Sequence, residues 1–206
     1  MTWWARTVAS LRSGHRLGYY DSLPGIGVHV GDIVGLASTA DGKGYWMVGR
    51  DGGVYAFGDA NFAGSLDSIG VHVDDIVGMA ADPATGGYWL VASDGGILSF
   101  NAPFYGSMGG QHLNASIVGM AADPVTGGYW LVASDGGIFS FNAPFYGSTG
   151  STELNRPIVA MVADGGGYRL VASDGGIFAF GGAAFEGSLP GNHVAVTDVV
   201  GAAPAA

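Results

Sequence analysis

The sequence predicts an all-β protein built from repeated, small antiparallel sheets, and three observations carry that prediction. One fourteen-residue stretch occurs four times, at 44–57 (GYWMVGRDGGVYAF), 87–100 (GYWLVASDGGILSF), 128–141 (GYWLVASDGGIFSF) and 167–180 (GYRLVASDGGIFAF). Each copy is two short apolar runs joined by Asp-Gly, the strongest local hairpin signal, because Asp and Gly supply a positive φ cheaply. An Ile-Val-Gly word begins at Ile33, Ile76, Ile117, Ile158 (there Ile-Val-Ala) and Val199, spaced by 43, 41, 41 and 41 residues. A period of roughly 40–45 residues with several short strands per unit marks the blade of a β-propeller.

Within the unit 117–157 the pattern predicts four strands. Strand A is 117–121, B is 129–133, C is 138–141 and D is 145–148. A Pro/Gly-rich turn joins A to B, the Asp-Gly hairpin joins B to C, Asn142-Ala143-Pro144 makes a corner, and a longer connector leads out of D. B and C are apolar at nearly every position, the pattern of a sheet covered on both faces. Blades are expected at 33–75, 76–116, 117–157 and 158–198, with a fifth from 1–32 plus 199–206. In the fifth, Thr7-Val8-Ala9-Ser10 matches strand B, Leu11-Arg12-Ser13-Gly14 is a worn hairpin, and Tyr19-Tyr20-Asp21-Ser22-Leu23 matches strand D. Val199-Val200-Gly201-Ala202-Ala203 supplies strand A, so both ends of the chain close the ring and remove exposed sheet edges. The expectation is one five-bladed propeller domain over 1–206; four blades with loose ends is the rival.

Composition narrows the function classes. Hydrophobic residues make up 48% and charged residues 12%, so the chain folds despite its 39 glycines. A net charge of −10 repels nucleic acid and anionic membranes. The lack of cysteine excludes disulfides, thiolate metal sites and cysteine nucleophiles. No run approaches the roughly 18–20 apolar residues that span a bilayer, and residues 1–17 do not read as a signal peptide.

The words GYWLVASDGGIFSF, FYGS and IVGMAADP resemble the tandem repeats of secreted, cell-wall-associated multidomain proteins of actinobacteria. The resemblance covers 33–203, implies an extracellular or cell-envelope setting, and brings no catalytic residue with it. Arg169, where three copies have Trp, and a shortened turn at Asp164-Gly165-Gly166-Gly167 depart from the pattern.

Chemistry has three places to sit. Trp46, Trp89 and Trp130 are expected to fill wedges between blades, whereas Tyr105 and Tyr146 on strand D lie nearer the rim and are candidates for binding a ligand. Asp51, Asp94, Asp135 and Asp174 are expected to serve the hairpin turn. Gly35, Gly78, Gly119 and Gly201 are expected where inner strands converge too closely for a side chain. The D-to-A connectors, where the copies diverge, bring His29, His72, His112 and His193, together with Asp74, Glu153 and Arg156. Asp32, Asp75 and Asp198 each directly precede strand A. Clustered at a channel mouth, these three could act as an acid and a nucleophile or base in glycoside hydrolysis, or with the histidines, themselves ligand-binding candidates, hold a divalent cation; capping strand starts is the structural alternative.

The expected function is non-catalytic binding of a glycan or cell-wall polysaccharide by a lectin-like, monomeric module that needs no cofactor. A small glycosidase and a purely structural scaffold are the alternatives.

Overall fold

The computed structural model of the chain describes residues 21–203. Among these residues the twelve strands form four antiparallel sheets of three strands each. The first sheet is β1 (Ile33–Ser38), β2 (Gly44–Gly49) and β3 (Val54–Gly58). The second is β4 (Ile76–Asp82), β5 (Gly87–Ala92) and β6 (Ile97–Phe100), and the third is β7 (Ile117–Ala122), β8 (Tyr129–Ala133) and β9 (Ile138–Phe141). The fourth is β10 (Ile158–Asp164), β11 (Gly167–Ala172) and β12 (Ile177–Gly181). The expected A, B and C strands of the third unit match to within a residue. The calls on residues 1–20 and 204–206 lie outside the described residues.

The sheets stack in sequence order. The first strands β1, β4, β7 and β10 lie side by side, and among the described residues β1 and β10 make no contact. Three apolar layers separate the sheets. In the last layer, Trp130 and Val132 of the third sheet meet Ile158, Met161, Tyr168, Leu170 and Ala172 of the fourth. The layer between the second and third sheets repeats it, with Trp89 and Val91 against Ile117, Met120, Tyr129, Leu131 and Ala133. This explains why β5 and β8 are buried at every position: one side of each strand faces the preceding unit and the other faces the next. Among the described residues the end sheets pack against a neighbouring sheet on one side. In β1, Leu36 is 58% exposed where its counterparts Met79, Met120 and Met161 are buried.

The hairpin works differently from expectation. Among the described residues the non-glycine residues with positive φ are Asp21, Asn101, Asn142 and His193, so the hairpin aspartates are not among them. Asp94 instead accepts the Gly96 N–H at 2.7 Å, and Asp51, Asp135 and Asp174 do the same for Gly53, Gly137 and Gly176 at 2.8–2.9 Å. The positive φ falls on the first glycine, Gly95 at 81° and its equivalents. The inner glycines also differ from one another. A Cβ on Gly35 would sit 3.0 Å from Val48 and 3.3 Å from Gly78, but one on Gly78 or Gly119 would meet only ordinary contacts. Ala160 fills that place in the fourth sheet.

The expected fourth strand does not form. Residues 145–148 and their equivalents have no ladder partner among the described residues; each is an irregular strap, and the first three are held by the next unit. The Tyr129 hydroxyl donates to the Gly106 carbonyl at 2.7 Å and accepts the Tyr105 N–H at 3.2 Å. Tyr168 grips Tyr146 and Gly147 in the same way, and Tyr88 grips Ala63 and Gly64. The strap glycine has no freedom to be anything larger: Gly106 sits at φ 131°, and a Cβ there would lie 2.7 Å from Phe141. In the first three straps the next unit's tyrosine hydroxyl takes the place of ladder bonding, and in the second and third a proline, Pro103 or Pro144, stands before the Phe and cannot donate to a ladder. The expected last strand A is also absent. Val199 bonds Ser173, but residues 199–203 have no pairing strand among the described residues.

Candidate functional site

The strap is clamped at two points, and between them stands an exposed ring. On its N-terminal side the Trp of the same unit donates its indole N–H to a strap carbonyl. Trp46 donates to Asn61 at 2.9 Å, Trp89 to Pro103 at 2.7 Å and Trp130 to Pro144 at 2.8 Å. On its C-terminal side, in the first three units, the Tyr of the next unit holds the strap glycine. The residue straight after the first clamp is Phe in every unit: Phe62, Phe104, Phe145 and Phe185. These four rings are 51%, 60%, 61% and 61% exposed. Their recurrence at one position of the repeat sets them apart from singly scattered exposed apolar residues. The sequence pointed at the neighbouring Tyr105 and Tyr146. These are 38% and 37% exposed and lie against the fold: Tyr105 packs on Tyr129, and Tyr146 packs on Trp130 and Tyr168. The Phe signal was visible as a fourfold repeat, but the sequence does not tell which of two adjacent rings, Phe104 or Tyr105, is left in solvent.

Trp46, Trp89 and Trp130 are at most 2% exposed. Each tilts against the next unit's tyrosine, with ring centroids 5.2–5.6 Å apart. They are wedge-fillers, as expected. Arg169 keeps the Trp role in the fourth unit: its Nε–H donates to the Ala184 carbonyl at 2.7 Å, while its guanidinium lies 2.7 Å from Asp164 and 3.9 Å from Glu186.

The connectors do share an end of the molecule with the B–C hairpins. Leu66, Met108, Thr149 and Leu189 donate N–H to Gly52, Gly95, Gly136 and Gly175 in turn. His29, His72, His112 and His193 are all exposed there. His72 lies 4.0 Å from the exposed Asp67, and His193 takes a left-handed conformation that ends a short helical turn, its N–H bonding Pro190. Asp32 and Asp198 are exposed, and Asp75 is half-buried with one carboxylate oxygen buried and unpartnered. Through their carbonyls Asp32 and Asp75 bond the hairpin residues Arg50 and Ser93. Among the described residues no group of three or more His, Asp or Glu side chains is placed to hold a metal ion. A shallow groove between Ser93-Asp94 and 111–116 lies at this end.

The larger opening is at the opposite end, where the A-to-B turns meet. A cleft of about 300 Å³ lies there between the first and second units, touching the third. It is walled by Trp46, Ala81, Pro83 and Pro124, with Thr39, Asp59 and Asn61 supplying polar groups. Sequence reasoning placed its ligand candidates at the connectors and on strand D, and none in this cleft.

No family model and no curated protein matches the chain. Among solved structures it is similar to a structural genomics protein of unknown function from Bacteroides thetaiotaomicron, at 12% identity and a TM-score of 0.43. The match covers 67% of this chain and 44% of that one, so the chain spans less than half of that neighbour's length. No helix among the described residues is long and apolar enough to cross a membrane.

Proposed function

We propose that the chain is a non-catalytic binding module for a glycan, with cell-wall polysaccharide as the leading class. The observation that carries this reading is the row of Phe62, Phe104, Phe145 and Phe185, each with its ring in solvent, the first three held between two backbone clamps and Phe185 by the Arg169 clamp on its N-terminal side. Aromatic faces stack on the C–H faces of sugars, and one weak contact per unit becomes useful when a polymer engages several at once. The net charge of −10 favours a neutral or amino-bearing polymer over a polyanion.

The units are presented, on this reading, by a ring of five blades, the fifth drawn from residues 1–32 plus 199–206. Two contacts support it. Tyr45 donates its hydroxyl to the Asp21 carbonyl, the contact that Tyr88, Tyr129 and Tyr168 make with strap glycines, and Asp21 takes a φ of 95° in that place. Val199 N–H bonds Ser173 as Ile158 bonds Ser134 and Ile117 bonds Ser93. An extracellular or envelope setting and a monomeric state complete the proposal, the setting resting on the resemblance to wall-associated repeats.

The test is a panel of insoluble neutral, amino and anionic polysaccharides run beside chromogenic glycosides. Retention on neutral or amino polymers without turnover is the expected result. Turnover would make the chain an enzyme, and silence on both would leave it a scaffold; either overturns the proposal.

A further inference from the structure

Four of the positions at which the first unit departs from its siblings line one cleft. Ser38 stands where Ala81, Ala122 and Ala163 stand in the others, and Thr39 stands where they have Asp82, Asp123 and Asp164. Asp59 belongs to a strap corner one residue longer than in the second and third units, and Asn61 replaces Pro103 and Pro144. Three of the changes add a side-chain group that can hydrogen-bond, and the fourth trades a buried, self-satisfied carboxylate for a hydroxyl. In the second unit Asp82 spends its oxygens on the Ala84 N–H and the Thr85 hydroxyl. In the first, Thr39 accepts the Gly44 N–H at 2.9 Å and lies 3.3 Å from the Asp59 carboxylate, which stays exposed at the opening.

We infer that this cleft is a subsite for a single pyranose ring, neutral or amino-bearing. The opening, about 300 Å³, is at the lower end of small-molecule sites. Its walls are the apolar faces of Ala81, Pro83, Pro124 and the Trp46 edge, which suit the C–H face of a sugar. The polar groups left for a ligand are the Asp59 carboxylate, the Asn61 amide and the Ser38 hydroxyl, since the Thr39 hydroxyl is engaged by Asp41, Gly44 and Asp59, and Asp82 by its own turn; they suit a ring rich in O–H or N–H donors. Asp59 excludes a ring that itself carries a carboxylate, since two like charges would be brought together. The proposal takes the sugar class from the glycan reading but rests on residues separate from the phenylalanine row.

Ligand-observed NMR with glucose, glucosamine, N-acetylglucosamine and glucuronate on the full chain tests it. Signals are expected from the neutral and amino sugars and not from glucuronate. Asp59→Ala and Asn61→Pro, the latter restoring the residue of the second and third units, should each weaken binding by about tenfold or more. Phe104→Ala should leave monosaccharide binding unchanged while lowering retention on polymer, which separates failure here from failure of the rim. Thermal melts confirm folding, and Asp59→Ala alone decides the matter should the proline variant not fold. No signal from any sugar, equal binding of glucuronate, or binding unchanged in Asp59→Ala would each overturn the inference.

Discussion

Tyr129 shows how a single side chain joins two units: its ring is buried between Trp89 and Phe141 while its hydroxyl closes two backbone bonds on the neighbouring strap. Tyr129→Phe leaves a carbonyl and an N–H unpaired, so a loss of about 1–3 kcal/mol is expected by denaturant unfolding. Trp130→Ala removes a wedge and one clamp together and should cost about 3–5 kcal/mol; a stable Trp130→Ala protein that no longer binds glycan would contradict the wedge assignment. Burial pushes the hydroxyl pKa values of Tyr88, Tyr129 and Tyr168 up, against the lowering effect of their backbone hydrogen bonds. A phenol whose folded pKa is raised loses its proton first in the unfolded chain. Stability is therefore unaffected well below the ordinary tyrosine pKa and falls as pH rises through it. Melting temperatures followed into the alkaline range should drop there, and the drop should shrink in Tyr129→Phe relative to its own neutral-pH value.

At the scale of the element, the fourth unit's two departures are one device. Asp164 lies opposite Gly167, on the face of the sheet that also carries Arg169. In the second and third units the matching aspartates are buried in their own turn by Thr85 and Thr126. The shortened turn of the fourth unit has no such threonine, so Asp164 bonds Arg169 instead. A double-mutant cycle of Arg169→Met and Asp164→Ala should give a coupling of about 1 kcal/mol, smaller in high salt; zero coupling would mean the two changes are independent. The sequence displayed both departures but not their link, because the contact crosses a turn whose geometry depends on its length. The strands were legible for the opposite reason. A period and an Asp-Gly turn are local, so β7, β8 and β9 could be placed from residues 117–141 alone. The strap was not legible, since its partner is a tyrosine hydroxyl some 22–24 residues onward rather than an adjacent strand. Nor was the cleft, whose walls come from three units.

For the whole molecule, the end sheets state what is unfinished among the described residues. The first sheet offers Leu36 to solvent, and the last offers a polar clasp where the others carry tryptophan. A fifth sheet from the chain's own ends would cover both faces. Truncation after Asp198 should therefore lower the melting temperature by several degrees or cause aggregation; a truncated chain that melts like its parent would contradict closure. The central claim is that four clamped phenylalanines bind one polymer together. Affinity electrophoresis through gels containing a retained neutral polysaccharide tests it most directly. Retardation should fall stepwise as Phe62, Phe104, Phe145 and Phe185 are changed to Ser one after another, with melting temperature unchanged. Retardation that survives loss of all four rings would contradict the account.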